Sequence, residues 1–121
     1  MLRDDPVQAL GPAVEQCVEH GVTAVFAVYD SLAGGLLQAF RAKNIEVPEQ
    51  MALVGFDDEH YAHLLAPPLT TARQPFEQEG QIAARLVIEQ IEGLDATRRV
   101  VTLSSELVIR ESCGCKPPHN G

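Results

Sequence analysis

Apolar residues along this chain follow two periods, one typical of buried strands and one typical of amphipathic helices. Residues 23–29 (TAVFAVY) and 52–56 (ALVGF) are continuous, β-prone runs, of the kind found in strands that are covered on both faces. The stretch between them carries apolar residues at helical spacing: Leu32, Leu36, Leu37 and Phe40. This strand–helix–strand order predicts a parallel sheet with a right-handed crossover, that is, an α/β fold with a Rossmann-like sheet and flanking helices.

A further helix is predicted before the first strand, over residues 5–20. Asp5 is suited to cap this helix, Pro6 to occupy its first position, and Gly21 to end it. Pro12 lies inside the span and is expected to kink or restart the helix, because proline lacks a backbone N–H.

The last third of the chain predicts one strong helix and two short extended segments. The helix begins at Pro75 and ends at Gly93. Its apolar stripe consists of Phe76, Ala83, Leu86, Val87 and Ile91. The segments RRVVTL (98–103) and ELVIRES (106–112) are predicted to be extended, and residues 113–121 are predicted to form a disordered tail.

Polar residues follow directly after both predicted strands. Tyr29 and Asp30 end the first strand, and Asp57 and Asp58 end the second. Because ligands bind at the carboxyl ends of parallel strands, and a carboxylate forms strong hydrogen bonds there, Asp57 is a candidate ligand contact. Other interpretations stay open: both aspartates as solvated turn acids, Asp30 or Ser31 as the N-cap of the next helix, and Tyr29 as a buried strand end.

The charge and the cysteine content exclude several classes of protein. The formal net charge is −8 and the nine Lys and Arg residues form no cluster, so the chain is not expected to bind DNA or RNA itself. Three cysteines without a regular spacing indicate a reducing compartment, and no apolar run is long enough to span a membrane. Cys113 and Cys115 are interpreted as part of the tail, with a metal site or a redox pair as the alternatives. A cytoplasmic protein without membrane contacts is predicted.

Motifs for catalysis or for metal binding are absent from the sequence. It contains no Gly-rich phosphate loop, no HExxH motif and no nucleophile elbow. The adjacent carboxylates of Asp57 and Asp58 point in opposite directions in an extended chain, which does not suit paired acid–base catalysis. His60 and His63 have no third ligand at a recognised spacing. We therefore expect no enzyme activity, no catalytic residue, no metal and no cofactor.

Three stretches of the chain together resemble one known family: TAVFAVYDSLAGGLLQAFRAKNIEVPEQMALVGFDD, APPLTTARQPFEQEGQIAARLV and ELVIRES. In order and spacing, residues 23–112 are similar to the C-terminal half of the effector-binding region of LacI/GalR-type transcriptional regulators. The resemblance implies a partial type I periplasmic-binding-protein fold, in which two Rossmann-like lobes hold a small effector such as a sugar. It also implies that residues 1–112 are the C-terminal portion of that domain, that 74–93 belong to the N-terminal lobe, and that the helix-turn-helix headpiece is missing.

The resemblance assigns roles to individual residues. Asp57 matches an aspartate that accepts hydrogen bonds from the effector, and Gln74 and Phe76 match crossover residues that approach it. Tyr29 and Asp30 match a binding-loop pair whose first member is commonly asparagine, so Tyr29 departs from the pattern and offers a ring to stack on a sugar. The surfaces used in a two-fold dimer are matched by Leu32, Leu36, Tyr61, Leu64 and Leu65.

A function follows from these roles. The chain is expected to be the effector-binding and dimerisation portion of a LacI-type regulator, in which a sugar-like ligand controls DNA binding by a headpiece absent from this chain. The ending SCGC departs from the usual ending of the family and is similar to that of related sensor domains fused to other output modules. The alternative is therefore a solute-binding sensor lobe of a periplasmic-binding-like receptor or of a signalling protein without a DNA output.

Overall fold

Three of the four strands in the described part of the chain run parallel, as the strand–helix–strand pattern predicts. The computed structural model describes residues 5–94 and 97–116. Its elements, in chain order, are α1 (Pro6–Glu19), β1 (Ala24–Phe26), α2 (Asp30–Ala42), β2 (Ala52–Asp57), a 3-10 turn (Ala62–Leu64), β3 (Thr70–Arg73), α3 (Phe76–Ile91) and β4 (Glu106–Val108). The sheet order is β1-β2-β3-β4, with β4 antiparallel to β3. The predicted α/β fold is confirmed.

The hydrophobic core lies where α2 packs on β2 and α1 packs on α2. The largest side chains in it are Phe40 of α2, Leu53 of β2, Val14 of α1, Met51 and Leu69. Apolar residues at helical spacing in α2 and at alternate positions in β2 bring these side chains onto facing surfaces.

β1 departs from the predicted strand that is covered on both faces. Val25 and Ala27 face the core, whereas Phe26 is 61% exposed and Val28 is also exposed. Phe26 meets Phe56 of β2 edge to face, with 6.5 Å between the ring centroids. The prediction is wrong because α1 and α2, the helices that build the core, leave the opposite face of the sheet open to solvent.

α1 follows the sequence pattern closely. Asp5 caps it by accepting a hydrogen bond from Val7 N–H at 3.0 Å, and Pro6 is its first residue. The helix runs through Pro12 without a break, so the prediction that it restarts there is wrong. Proline removes a single backbone hydrogen bond at that point, and the burial of Val14 against α2 holds the helix together.

The start of α2 is fixed by a buried carboxyl group instead of by a cap. Tyr29 occupies the N-cap position without a side-chain hydrogen bond, so the prediction of Asp30 or Ser31 as the cap is wrong. Asp30 is the first helical residue and is 0% exposed. Its Oδ1 accepts a hydrogen bond from Thr71 Oγ1 at 2.7 Å, and its Oδ2 accepts one from Glu59 N–H at 2.8 Å. These bonds tie α2 to β3 and to the loop after β2.

α3 forms as predicted, but it has no buried residue. Its apolar stripe is open to solvent, and Ile91 is 79% exposed. Of the two predicted extended segments, 106–112 supplies β4, whereas 98–103 is assigned to no strand. Within the described residues, 98–103 pairs with no strand and Val100 is largely exposed, so its extended conformation stays a prediction.

The beginning of the predicted tail is part of the described structure. Ser112 is buried, and Gly114 N–H donates to Glu111 O at 3.1 Å, which closes a turn. Residues 117–121 lie outside the described residues, so the disorder predicted for the tail stays a prediction.

The contact between β2 and Asp30 gives a first testable prediction. Gly55 is buried in β2, and a Cβ atom added there collides with Asp30 Oδ1 and lies 3.0 Å from Leu69 Cδ2. We expect Gly55→Ala to lower the free energy of unfolding by about 1–3 kcal/mol, because the backbone of β2 or the Asp30 carboxyl group has to move. Urea unfolding followed by circular dichroism measures the change.

Gly80→Ala is the matched control. Apart from the neighbouring residues and the backbone of its own helix, no atom of the described residues lies within 4 Å of the added Cβ, and Gly80 is in the middle of α3. Alanine favours a helix by up to about 1 kcal/mol over glycine, so we expect equal or higher stability. Similar losses in the two variants would contradict the role assigned to the Gly55 contact.

Candidate ligand-binding site

The carboxyl ends of β2 and β3 lie side by side and bring candidate ligand residues together. The strands are parallel, and their register pairs Asp57 with Arg73. Gln74, the next residue, donates from Nε2 to Asp57 Oδ1 at 2.6 Å. Residues that are 17 apart in sequence therefore share one edge of the sheet, the edge at which α/β proteins bind ligands.

A cleft of about 480 Å³ opens at this edge. Its lining residues are Asp57, Asp58, Arg73, Gln74, Pro75, Phe76, Glu77, Gln78 and Gln81. Three predicted ligand contacts, Asp57, Gln74 and Phe76, thus line one cleft. A carboxylate, an amide and an exposed aromatic ring form the combination of polar and apolar groups that suits a small polyhydroxylated ligand.

Two larger clefts, of about 570 and 610 Å³, lie near the turns that precede β2 and β3. They share Val47, Glu49 and Pro67 in their walls. These clefts are at the amino ends of the parallel strands, and ligand sites of open α/β sheets lie at the carboxyl ends. The smaller cleft beside Asp57 is therefore the better candidate.

The backbone at Asp57 and Asp58 has an uncommon conformation. Both residues have positive φ angles, 111° and 55°, in the region that favours glycine. Such a conformation costs about 1–3 kcal/mol per residue and persists only where the surroundings enforce it. Here it turns the chain at the end of β2, so that the two adjacent carboxylates have different partners.

Two arginines hold the Asp58 side of this turn. Asp58 Oδ2 accepts a hydrogen bond from Arg73 Nε at 2.7 Å, and its Oδ1 accepts one from Arg110 Nη2 at 2.7 Å. Arg110 also donates from Nη1 to Leu69 O at 2.8 Å. Asp58 therefore joins the ends of β2 and β3 to the segment after β4.

The arginines also change the acidity of Asp58. Burial by itself raises the pKa of this carboxyl group, but the hydrogen bonds and charges of Arg110 and Arg73 outweigh burial and lower the pKa below its ordinary value. The ionised form is therefore favoured in the folded chain. Neither arginine was identified from the sequence, because Arg110 is 52 residues away from Asp58 and no local motif links them.

The other two predicted ligand residues do not line the cleft. Tyr29 is partly exposed at the start of α2, and Asp30 is fully buried with hydrogen bonds on both oxygens. Asp30 reaches the cleft indirectly, because Thr71 donates to it and also accepts a hydrogen bond from Asp58 N–H at 3.3 Å. Direct ligand contact by Tyr29 and by Asp30 stays a prediction.

Comparison with known proteins identifies the family. The model of the periplasmic binding protein-like domain matches residues 3–113. The chain is 39% identical over 95 residues to the HTH-type transcriptional repressor PurR of Mannheimia succiniciproducens, covering 78% of this chain and 28% of the relative. It is 35% identical over 109 residues to the HTH-type transcriptional regulator MalR of Streptomyces coelicolor, covering 90% and 32%. The chain belongs to the periplasmic binding protein-like domain family.

The solved structures agree with this assignment. A cellobiose complex of the transcriptional regulator CelR superimposes with a TM-score of 0.80 at 34% identity, over 88% of this chain and 32% of that one. The resemblance to LacI/GalR-type regulators is confirmed, and these relatives are regulators of transcription. The chain spans 28–32% of the length of these relatives.

Within this periplasmic binding protein-like domain, the five predicted dimer residues differ in exposure. Leu36 is 7% exposed and belongs to the core, which corrects its assignment to an interface, because little of it can reach a second chain. Leu32 and Leu65 are half-buried against the core. Tyr61 is half-buried, and Leu64 is 72% exposed. The interface formed by Leu32, Tyr61, Leu64 and Leu65 stays a prediction.

Residues 5–94 and 97–116 contain neither a candidate metal site nor a candidate membrane-spanning helix. No group of three or more His, Cys, Asp or Glu side chains in these ranges is arranged to hold a metal ion. No helix within them has the length and apolar character needed to cross a membrane.

The ion pairs of Asp58 with Arg73 and Arg110, which we call the Asp58 clamp, give a second prediction. Asp58→Asn removes the charge that Arg73 and Arg110 face, and we expect it to lower the free energy of unfolding at pH 7 by about 1–2 kcal/mol. This is less than a fully buried pair contributes, since water screens Arg73. Because the pKa of Asp58 is lowered in the folded state, the stabilisation is complete above about pH 4 and is lost as the pH falls through the folded pKa. Urea unfolding at a series of pH values measures it.

Glu106→Gln is the matched control, because Glu106 also faces Arg73 but at 3.6 Å and at the surface. We expect little change in stability and no change in its dependence on pH. A difference between the unmodified chain and Asp58→Asn that stays constant from pH 7 to pH 2 would contradict the clamp.

Proposed function

We propose that this chain is the C-terminal part of the effector-binding domain of a LacI-type transcriptional regulator. The proposal rests on the cleft beside Asp57, which is lined by three of the five residues that the family resemblance assigns to the effector: Asp57, Gln74 and Phe76. Residues 1–112 form this part of the domain, and the alternative of a sensor lobe without a DNA output is not favoured, since the relatives are transcriptional regulators.

The ligand in this proposal is a small sugar-like molecule. Asp57 accepts hydrogen bonds from its hydroxyl groups, and bonds to a carboxylate are the stronger kind. Gln74 holds Asp57 in place and supplies further amide contacts, and Phe76 packs on the face of the sugar ring. Tyr29 offers a second ring from the neighbouring strand end. One similar regulator, CelR, has been solved as a complex with cellobiose.

Residues 74–93 belong to the N-terminal lobe of the full fold in this proposal. α3 follows the end of β3 after two residues, and it places no side chain in the core. The open face of the sheet and the open stripe of α3 are both apolar, as expected for surfaces that further chain covers. The ligand would then lie between the lobes, with Asp57 on one side and Phe76 on the other.

Control of DNA binding follows from closure of the lobes. A ligand that binds the closed state more tightly than the open state shifts the population toward closure, whereas equal affinity shifts nothing. In a cytoplasmic homodimer joined through Leu64 and its neighbours, closure changes the spacing of two helix-turn-helix headpieces. DNA is therefore bound through a segment outside this chain and not by its own acidic surface.

Substitution of Asp57 tests the proposed function. The DNA that flanks the coding sequence gives the complete protein, which we expect to contain a helix-turn-helix and the other lobe. In that protein a panel of mono- and disaccharides is screened by thermal shift. We expect Asp57→Asn to weaken the affinity for the stabilising sugar by about 10–100-fold, because each hydrogen bond to a charged group contributes about 1.5–3 kcal/mol.

Glu49→Gln is the control for Asp57→Asn, because it removes an exposed carboxylate that lines both clefts at the other end of the sheet. It is expected to leave sugar affinity unchanged. Equal affinity in the Asp57 variant and the unmodified protein would exclude Asp57 as the contact, and a flanking sequence without a DNA-binding segment would exclude the regulator.

The position of α3 is tested on the 121-residue chain itself. We expect the chain to bind a hydrophobic dye or to self-associate. Ile91→Gln should reduce dye fluorescence while changing the free energy of unfolding by less than about 0.5 kcal/mol, because Ile91 is exposed. Leu53→Ala, in the core, should cost about 2–5 kcal/mol. A monomer that binds no dye would contradict an uncovered α3.

A further inference from the structure

Cys113 and Cys115 lie in a tight turn away from the ligand cleft. Gly114 has φ 69°, and this turn directs Cys115 back onto Cys113. Cys115 N–H donates to Cys113 Sγ at 3.2 Å, and Cys115 Sγ donates to Cys113 O at 3.8 Å. Cys113 is half-buried and Cys115 is exposed. Two thiols of different accessibility are thus held in one short turn.

The turn is fixed to the sheet by the residue before it. Ser112 is fully buried between β2 and β3. Its Oγ donates to Leu53 O at 2.6 Å and accepts from Thr70 N–H at 2.9 Å, and its carbonyl accepts from Leu53 N–H at 2.8 Å. Cys113 therefore has a defined position, unlike a cysteine in a loose tail.

Hydrogen bonds around Cys113 favour its thiolate. Burial alone raises the pKa of the Cys113 thiol, but donors from the Cys115 side chain, from Thr70 and from the Cys115 backbone together lower it below the ordinary value. Thr70 Oγ1 accepts a hydrogen bond from Arg110 N–H at 2.9 Å, and Cys113 Sγ lies 3.9 Å from Arg110 O. The pKa of Cys115 is raised, with its hydrogen bond to Cys113 as the main cause. The two pKa shifts are opposite in direction, and the thiolate is the nucleophilic form of a cysteine.

We propose that Cys113 and Cys115 form a reversible thiol–disulfide site that is oxidised by hydroperoxides. The Cys113 thiolate attacks one oxygen of hydrogen peroxide, the O–O bond breaks, and the products are the Cys113 sulfenate and water. After the sulfenate takes up a proton, Cys115 Sγ attacks Cys113 Sγ, and the hydroxyl leaves with the Cys115 proton as a second water. Two thiols lose two electrons in total, and one peroxide is reduced.

The geometry also indicates that the disulfide is easily reduced. A bond between cysteines two residues apart closes a small, strained ring at the surface, and strained or exposed disulfides have the more oxidising potentials. The site is therefore suited to reversible oxidation and not to stabilising the fold. This inference is independent of the proposed ligand, because the thiols are outside the cleft beside Asp57.

The test uses the 121-residue chain after reduction and removal of the reductant. It is exposed to hydrogen peroxide at a modest excess, alkylated with iodoacetamide and digested with trypsin, which leaves both thiols in the peptide 111–121. We expect this peptide to lose two hydrogens, to escape alkylation and to recover both thiols with dithiothreitol. Cys17, half-buried in α1, is the internal reference and should react at least about tenfold more slowly.

Two variants separate the roles of the sulfur atoms. Cys115→Ser cannot close the disulfide, so Cys113 should accumulate as a sulfenic acid that dimedone traps. Cys113→Ser should give neither product at Cys115. The proposal is overturned if both thiols of the unmodified chain stay alkylatable, if the peroxide product is a disulfide between two chains, or if Cys115→Ser gives no dimedone adduct.

Discussion

The arrangement of the sheet and of its ligand edge depends on the hydrogen bonds that the buried carboxyl group of Asp30 accepts. A polar group without solvent contact is tolerated only when its hydrogen bonds are made, and Asp30 makes them with Thr71 and with the backbone of Glu59. These two partners belong to β3 and to the loop after β2, so one side chain at the start of α2 sets the positions of both. Gly55 is required beside it because no Cβ atom fits there.

At the ligand edge, next to the hydrogen bonds of Asp30, the backbone is under strain. Asp57 and Asp58 adopt positive φ angles, and the two arginines around Asp58 supply the ion pairs that hold such a conformation. As a result, adjacent carboxylates serve different purposes: Asp58 binds the arginines, and Asp57 faces Gln74 and the cleft. Arg110 lies in the segment after β4, so its ion pair with Asp58 connects that segment to the cleft.

The open surfaces follow from the same topology. α1 and α2 build one core, whereas the outer face around Phe26 and the stripe of α3 have apolar residues without a covering layer. The sequence pattern predicts that these residues are buried. Periodicity indicates which residues have to be buried, but it does not identify the element that covers them. The error over β1 is of this kind: its composition suits a strand covered on both faces, but the described residues cover one face.

The sequence by itself determined the elements and their order, because helix caps, apolar periods and turn residues act over a few neighbours. It placed α1, α2, α3 and the parallel pair β1 and β2, and it marked Asp57 as the polar end of a buried strand. The tertiary structure decided what depends on distant contacts. It moved Asp30 from a cap into the core, gave Asp58 its arginines from 15 and 52 residues away, and fixed the turn of Cys113 and Cys115 to the sheet through Ser112. These pairings follow from the strand register, which local sequence does not encode.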